Sequence, residues 1–94
     1  MRGYRVLATN VWLAGNELDV VARRGGRLVF CEVKSKGGEA YGDPVEMVSG
    51  EKARRVRRAA ELWLAAHPEH GACELRFDVV AVRGRRLECV RAAF

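Results

Sequence analysis

The chain has 94 residues, 49% hydrophobic and 31% charged, with a formal net charge of +5 at pH 7 and a pI near 9.6. These values describe a single domain, 1–94, with a modest core, exclude a disordered polymer and favour a polyanionic partner. No apolar run reaches the ~20 residues of a membrane span, and the expectation is a chain without a signal peptide. Three cysteines without a C-x-x-C spacing point to free thiols and a cytoplasmic setting.

The first β-type run is Tyr4–Asn10. Asn10 to Gly15 is expected to hold the following turn, with Trp12 and Leu13 packing across it or facing a partner. Two further runs, Glu17–Arg23 and Arg27–Ser35, flank Gly25-Gly26. Adjacent glycines between such runs predict a hairpin, because a type I′ turn needs positive φ at both central positions. With the glycines as the loop, Arg24 faces Arg27, Asp19 faces Glu32 and Glu17 faces Lys34. Directly paired residues share a sheet face, with Cβ atoms roughly 4.5–5.5 Å apart. Three carboxylates and one ammonium are therefore expected on one patch.

A like-charge pair such as Asp19 and Glu32 destabilises a sheet unless a cation lies between the two. Hard divalent ions such as Mg²⁺ bind through one or two carboxylates and keep waters for a phosphate. Lys34 supplies a point charge suited to a phosphate oxygen or a metal-bound water. The spacing reads as a phosphodiesterase site or, in the alternative, as solvated residues of an exposed sheet face. A one-residue slip of register would separate Asp19 from Glu32. Cys31 alternates with Val29 and Val33 and reads as a core residue without a partner base.

Lys36–Gly50 contains four glycines and Pro44. This is a long loop beside the Glu32-Val33-Lys34 strand, where substrate contacts are common. Tyr41 is placed to stack on a base or sugar, or to pack on the loop itself. Ser49 offers an N-cap and Glu51 suits the positive end of a helix. The helix is predicted to run to Ala66, ahead of His67-Pro68. Ala53, Val56, Ala60, Trp63 and Leu64 form its apolar stripe. Lys52, Arg54, Arg55, Arg57 and Arg58 crowd the remaining surface, as a solvated face or a phosphate-contacting one; Arg57 can pair with Glu61 four residues on. His67, His70 and Cys73 recur at three-residue intervals but lack a fourth ligand, so no zinc site is expected. Cys73–Val82 and Arg86–Phe94 read as strands around Arg83-Gly84-Arg85, with Phe77, Val79 and Ala81 alternating against Asp78, Val80 and Val82.

Asp19 followed by Glu32-Val33-Lys34 resembles the D…(D/E)-x-K core of the PD-(D/E)XK nuclease superfamily. More narrowly, the chain resembles the YraN-like (UPF0102) group of small endonuclease-like proteins. The matching pieces are Gly3-Tyr4-Arg5-Val6-Leu7, Asn10, Gly15-Asn16-Glu17-Leu18-Asp19, Val29-Phe30-Cys31-Glu32-Val33-Lys34, Gly42-Asp43-Pro44-Val45-Glu46, Lys52, Arg76-Phe77-Asp78-Val79-Val80-Ala81-Val82 and Ala93-Phe94, in order over nearly the whole chain. The resemblance implies an α/β, restriction-endonuclease-like core: a mixed β-sheet with one long helix after the third strand and a C-terminal β-hairpin. Members of the group begin with a helix that carries an acidic residue completing the site. This chain starts at Met1-Arg2-Gly3, so the expectation is an incomplete site and a sheet face covered by a second copy, as a homodimer, or by a partner chain.

The reading taken forward is a metal-dependent nuclease-like protein acting on nucleic-acid phosphodiesters, with DNA as the expected polymer. Asp19 and Glu32 are the expected ligands of Mg²⁺ or Mn²⁺, with the Val33 carbonyl and Glu17 as further ligands. Lys34 is expected to orient a metal-bound water and stabilise charge on the phosphate. Lys36, Tyr41, Lys52, Arg54, Arg55 and Arg58 are the expected nucleic-acid contacts. The alternative is a catalytically inactive nucleic-acid-binding protein, or an interaction subunit of a larger complex.

Overall fold

The computed structural model describes residues 3–35 and 50–91, apart from the side chains of Lys34, Ser35, Glu51, Lys52, Arg83, Arg86, Glu88 and Val90. Strand β1 (Arg5–Leu13) pairs antiparallel with β2 (Asn16–Arg24), and β2 with β3 (Arg27–Ser35). Helix α1 (Gly50–Ala66) and a short 3₁₀ turn (Pro68–His70) lead to β4 (Glu74–Arg83), which runs parallel to β3. Strand β5 (Arg86–Val90) returns antiparallel to β4, giving a five-stranded mixed sheet in the order β1-β2-β3-β4-β5. A parallel pair needs a crossover, and α1 lies within it. This is the expected α/β architecture.

The hairpins show where local sequence sets the chain path. Strand β1 runs past its expected end at Asn10 to Leu13, and the turn contracts to Ala14-Gly15, with φ of 53° and 74°. Positive φ at both positions is what a type I′ turn requires. At Gly25-Gly26 the register is the expected one, with Arg24 opposite Arg27 and Val21 opposite Phe30. Of these two glycines only Gly25 takes a positive φ, 56°, so the turn follows the type II′ requirement and not the type I′ one. The last hairpin turns at Gly84-Arg85, and β5 ends at Val90. Ser49, the expected N-cap of α1, and the expected continuation of β5 through 92–94 lie outside the described residues.

The core forms between α1 and one sheet face. Val56, Ala59, Ala60 and Trp63 are buried against Leu18, Val21, Leu28, Phe30 and Phe77. Ala59 joins the expected stripe, while Ala53 and Leu64 are half-buried. Phe30 lies at the centre, with Trp63 edge-on at 6.0 Å and Phe77 stacked at 5.4 Å between ring centroids, both favourable geometries. The Arg57 guanidinium lies 5.0 Å over the Phe77 ring, a cation–π contact. His67 Nδ1 is 2.8 Å from the Trp63 carbonyl. A carbonyl only accepts, so that nitrogen carries the proton. His70 Nδ1 accepts from Arg23 at 2.7 Å.

Strand alternation puts Ala22, Val29 and Cys31 on the opposite sheet face. All three are buried. The Arg76 guanidinium grips Asp78 there through two hydrogen bonds of 3.0 Å and lies 5.9 Å from the centre of the Tyr4 ring. Val6 and Leu87, on the edge strands β1 and β5, remain 55% and 72% exposed. Cys31, Cys73 and Cys89 are free thiols. Among the described residues, no helix is long and apolar enough to cross a membrane.

Candidate functional site

The β2–β3 ladder runs from Arg24–Arg27 to Val20–Cys31 and stops there. The two rungs expected next, Asp19–Glu32 and Glu17–Lys34, are not made. Beyond Val20, β2 stays with β1 through Leu18–Val11 and Glu17–Trp12, while β3 stays with β4 through Glu32–Val79 and Lys34–Ala81. The strands part and open a notch. A backbone N–H at such a point needs another acceptor. Here Asp19 supplies the acceptor: the Val33 N–H donates to Asp19 Oδ2 at 2.7 Å, a charge-assisted bond that stands in for the missing rung.

That bond brings Asp19 to β3 beside Glu32 without the register pairing that was expected to do so. Trp12, Gly15, Asn16, Glu17, Asp19, Glu32 and Val33 line one open hollow of about 320 Å³. Glu32 is only 7% exposed. Burial, first of all, pushes the Asp19 carboxyl above its usual range; the Val33 N–H opposes the shift, and a hydrogen bond and charge from Glu17, then the charge of Glu32, add to it. Asn10, held at a positive φ of 51°, donates from Nδ2 to Glu17 Oε2 at 3.1 Å. Asparagine is among the few residues that tolerate this conformation. Asn16 Nδ2, also at the hollow, is buried without a hydrogen-bond partner.

The other expected contacts fall as follows. Arg54, Arg55 and Arg58 are exposed on α1. Lys34 has its backbone in β3 and Lys52 has its backbone in α1, but both side chains lie outside the described residues, as do Lys36 and Tyr41 entirely. Val33 enters the site through its N–H, where its carbonyl had been the expected contributor. As site residues Asn10 and Asn16 enter only through the matching pieces of the resemblance, and Trp12 is expected at a turn, packing across it or facing a partner. The signal for Trp12 was present: with Ala14-Gly15 as the loop, the same register arithmetic pairs Trp12 with Glu17.

Among the described residues, no three His, Cys, Asp or Glu side chains group closely enough to hold a metal on their own. The hollow offers instead the carboxylates of Asp19 and Glu32, with Glu17 on the same lining, and so an excess of negative charge. That donor set fits a hard divalent ion bound through one or two carboxylates and water.

Residues 1–82 match UPF0102, described as an uncharacterised protein family. A UPF0102 protein of Parafrankia sp. (strain EAN1pec) is 47% identical over 89 residues, covering 95% of this chain and 75% of its own length. One from Frankia alni is 45% identical over 97 residues, covering 98% of this chain and 80% of its own. One from Symbiobacterium thermophilum is 46% identical over 91 residues, covering 93% of this chain and 75% of its own. The chain belongs to the UPF0102 family.

Proposed function

We propose that the protein is a metal-dependent nuclease acting on nucleic-acid phosphodiester bonds, DNA foremost, in the cytoplasm. The observation that supports this best is the Asp19 bond to the Val33 N–H across the strand parting, which puts Asp19 and Glu32 on one hollow. In this reading Asp19 and Glu32 hold Mg²⁺ or Mn²⁺, with Glu17 and the Val33 carbonyl as further oxygen donors. A bound ion supplies Lewis acidity at a phosphoryl oxygen and makes water a better nucleophile. Asp19 is fixed through the Val33 N–H at Oδ2, which holds its carboxylate at the hollow. Glu17, which accepts from Asn10 and shares a hydrogen bond with Asp19, adds a third carboxylate to the hollow.

Hydrolysis joins the oxygen of water to phosphorus, breaks one P–O ester bond and transfers a proton to the leaving oxygen. Lys34 orients the water and offsets negative charge on the phosphate. Arg54, Arg55 and Arg58, with Lys36, Tyr41 and Lys52, serve as the contact surface for the rest of the strand. A second copy of the chain, or a partner chain, covers the sheet face turned from α1. Free thiols at all three cysteines suit a reducing compartment.

A nuclease assay on single-stranded, duplex and branched DNA and on RNA, with Mg²⁺, Mn²⁺ or EDTA, tests this. Cleavage that needs the ion and is lost in Asp19→Asn is the expected result; equal cleavage in EDTA would falsify it. A second reading, a nucleic-acid-binding protein or complex subunit without turnover, draws on the lack of a three-ligand group among the described residues. It takes over if wild type binds nucleic acid but cleaves no substrate with either ion.

A further inference from the structure

The chain has two tryptophans, and the fold treats them in opposite ways. Trp63 is 2% exposed in the core, whereas Trp12 is 67% exposed. Strand alternation explains the direction of Trp12. Its neighbours Val11 and Leu13 pack against the core, so Trp12 points to the other side, where its register partner is Glu17. Trp12 lines the same hollow as Asp19 and Glu32, which opens where β2 and β3 part. It makes no ring contact with any described residue. A single exposed apolar side chain is ordinary on a protein surface; one set on the rim of a carboxylate pair has a chemical context.

We infer that Trp12 is a stacking platform for an unpaired nucleobase beside the phosphodiester held at Asp19 and Glu32. The site therefore takes single-stranded or frayed nucleic acid in preference to continuous duplex. This rests on the reading of the hollow as a phosphodiester site. Every base has a π-face, so stacking on an aromatic side chain tolerates any sequence. Within a duplex both faces of a base are covered by its neighbours, so a stacking side chain gains contact only where a base is unpaired or extruded. The carboxylates at the hollow repel phosphate in the absence of a cation. Stacking is the attraction available at this rim that does not depend on charge.

The two tryptophans also give the test its probe. Trp63 is enclosed, so a change in tryptophan fluorescence on adding nucleic acid reports Trp12. The full chain is titrated with a short oligothymidylate and with a blunt duplex of the same length, each in EDTA and in CaCl2. Affinities are measured in parallel by anisotropy of labelled strands. The expected result is saturable quenching by the oligothymidylate, which binds roughly tenfold more tightly than the duplex. Trp12→Ala should weaken oligothymidylate binding about tenfold while leaving duplex binding unchanged, and Trp12→Phe should keep most of the affinity. Because Trp12 is exposed, both variants should melt with wild type.

Unchanged oligothymidylate affinity in Trp12→Ala overturns the inference, as does equal quenching by duplex. A fluorescence change that follows protein concentration alone would seat a second copy on Trp12 and also overturn it. The outcome is separable from that of the nuclease reading. Cleavage without Trp12-dependent discrimination removes the stacking role only, whereas discrimination without cleavage by wild type removes the nuclease reading only.

Discussion

At Asp19 two demands meet. Its carboxylate completes the backbone of β3 through the Val33 N–H, while burial and the carboxylates of Glu17 and Glu32 disfavour its charge. Asp19→Asn keeps an acceptor for Val33 and removes the charge, so the metal-free variant should be as stable as wild type or more so. Wild type should gain thermal stability with Mn²⁺, by about 2.7 kcal/mol at a hundredfold excess over the dissociation constant, and Asp19→Asn should lose that gain. Lys34→Ala should keep the gain and lose cleavage. Melting curves with and without millimolar Mn²⁺ check all three, and no shift in wild type would leave the hollow without an ion. Cys31 gives a second test. Burial, ahead of charge from Asp78, Cys89, Asp19 and Glu32, pushes its thiol up to about 12. Only the thiolate is nucleophilic. At mildly alkaline pH iodoacetamide should therefore modify the exposed Cys89 first and Cys31 only after denaturation. Mass spectrometry reads the order, and early labelling of Cys31 would mean that the β3 core opens readily.

Among the elements, the Ala14-Gly15 turn is the least matched to its sequence. Ala14 has a φ of 53°, a left-handed conformation that costs an L-residue with a Cβ roughly 1–2 kcal/mol. Ala14→Asn should stabilise the protein by about 1 kcal/mol, seen as a higher urea midpoint with an unchanged slope. The same mismatch explains what was legible. Gly25-Gly26 announced its hairpin and fixed the register to Val20. Ala14 is no turn residue, so β1 read as ending at Asn10 and Trp12 lost its place at the site. The parting of β2 from β3 left no trace in periodicity, because Asp19 alternates like any polar strand residue while its carboxylate does the work of a backbone carbonyl. Helix α1 was legible from its stripe. Ala59 was missed because alanine fits either side of a helix. The exposed Arg54 and Arg58 on α1 carry a further prediction. Phosphate contacts hold no base information, so replacing both with Ala should weaken binding equally across sequences. The slope of log affinity against log salt should fall by roughly 1.4 to 1.8. An unchanged slope would assign these arginines to solubility.

Over the whole molecule the two sheet faces are finished differently. Helix α1 closes one face over Phe30 and Phe77. On the other, Ala22, Val29 and Cys31 are buried at the centre while Val6 and Leu87 stand exposed at the two rims. The rims belong to β1 and β5, the outermost strands of the sheet, and an edge strand offers backbone groups for pairing. Apolar rims beside open edges suit a second copy of the chain, approached face to face or edge to edge. A homodimer is the expected state at micromolar concentration, read by light scattering. Apolar contact and backbone pairing are little affected by ionic screening, so added salt should leave the dimer intact, unlike nucleic-acid binding. Leu87→Lys places a charge on one rim at a site already open to water, so it should give a monomer without lowering the melting temperature. A wild-type monomer would show that both rims remain bare in solution. A Leu87→Lys dimer with an intact melt would move the interface to the β1 rim, where Val6→Lys is the variant that should dissociate it.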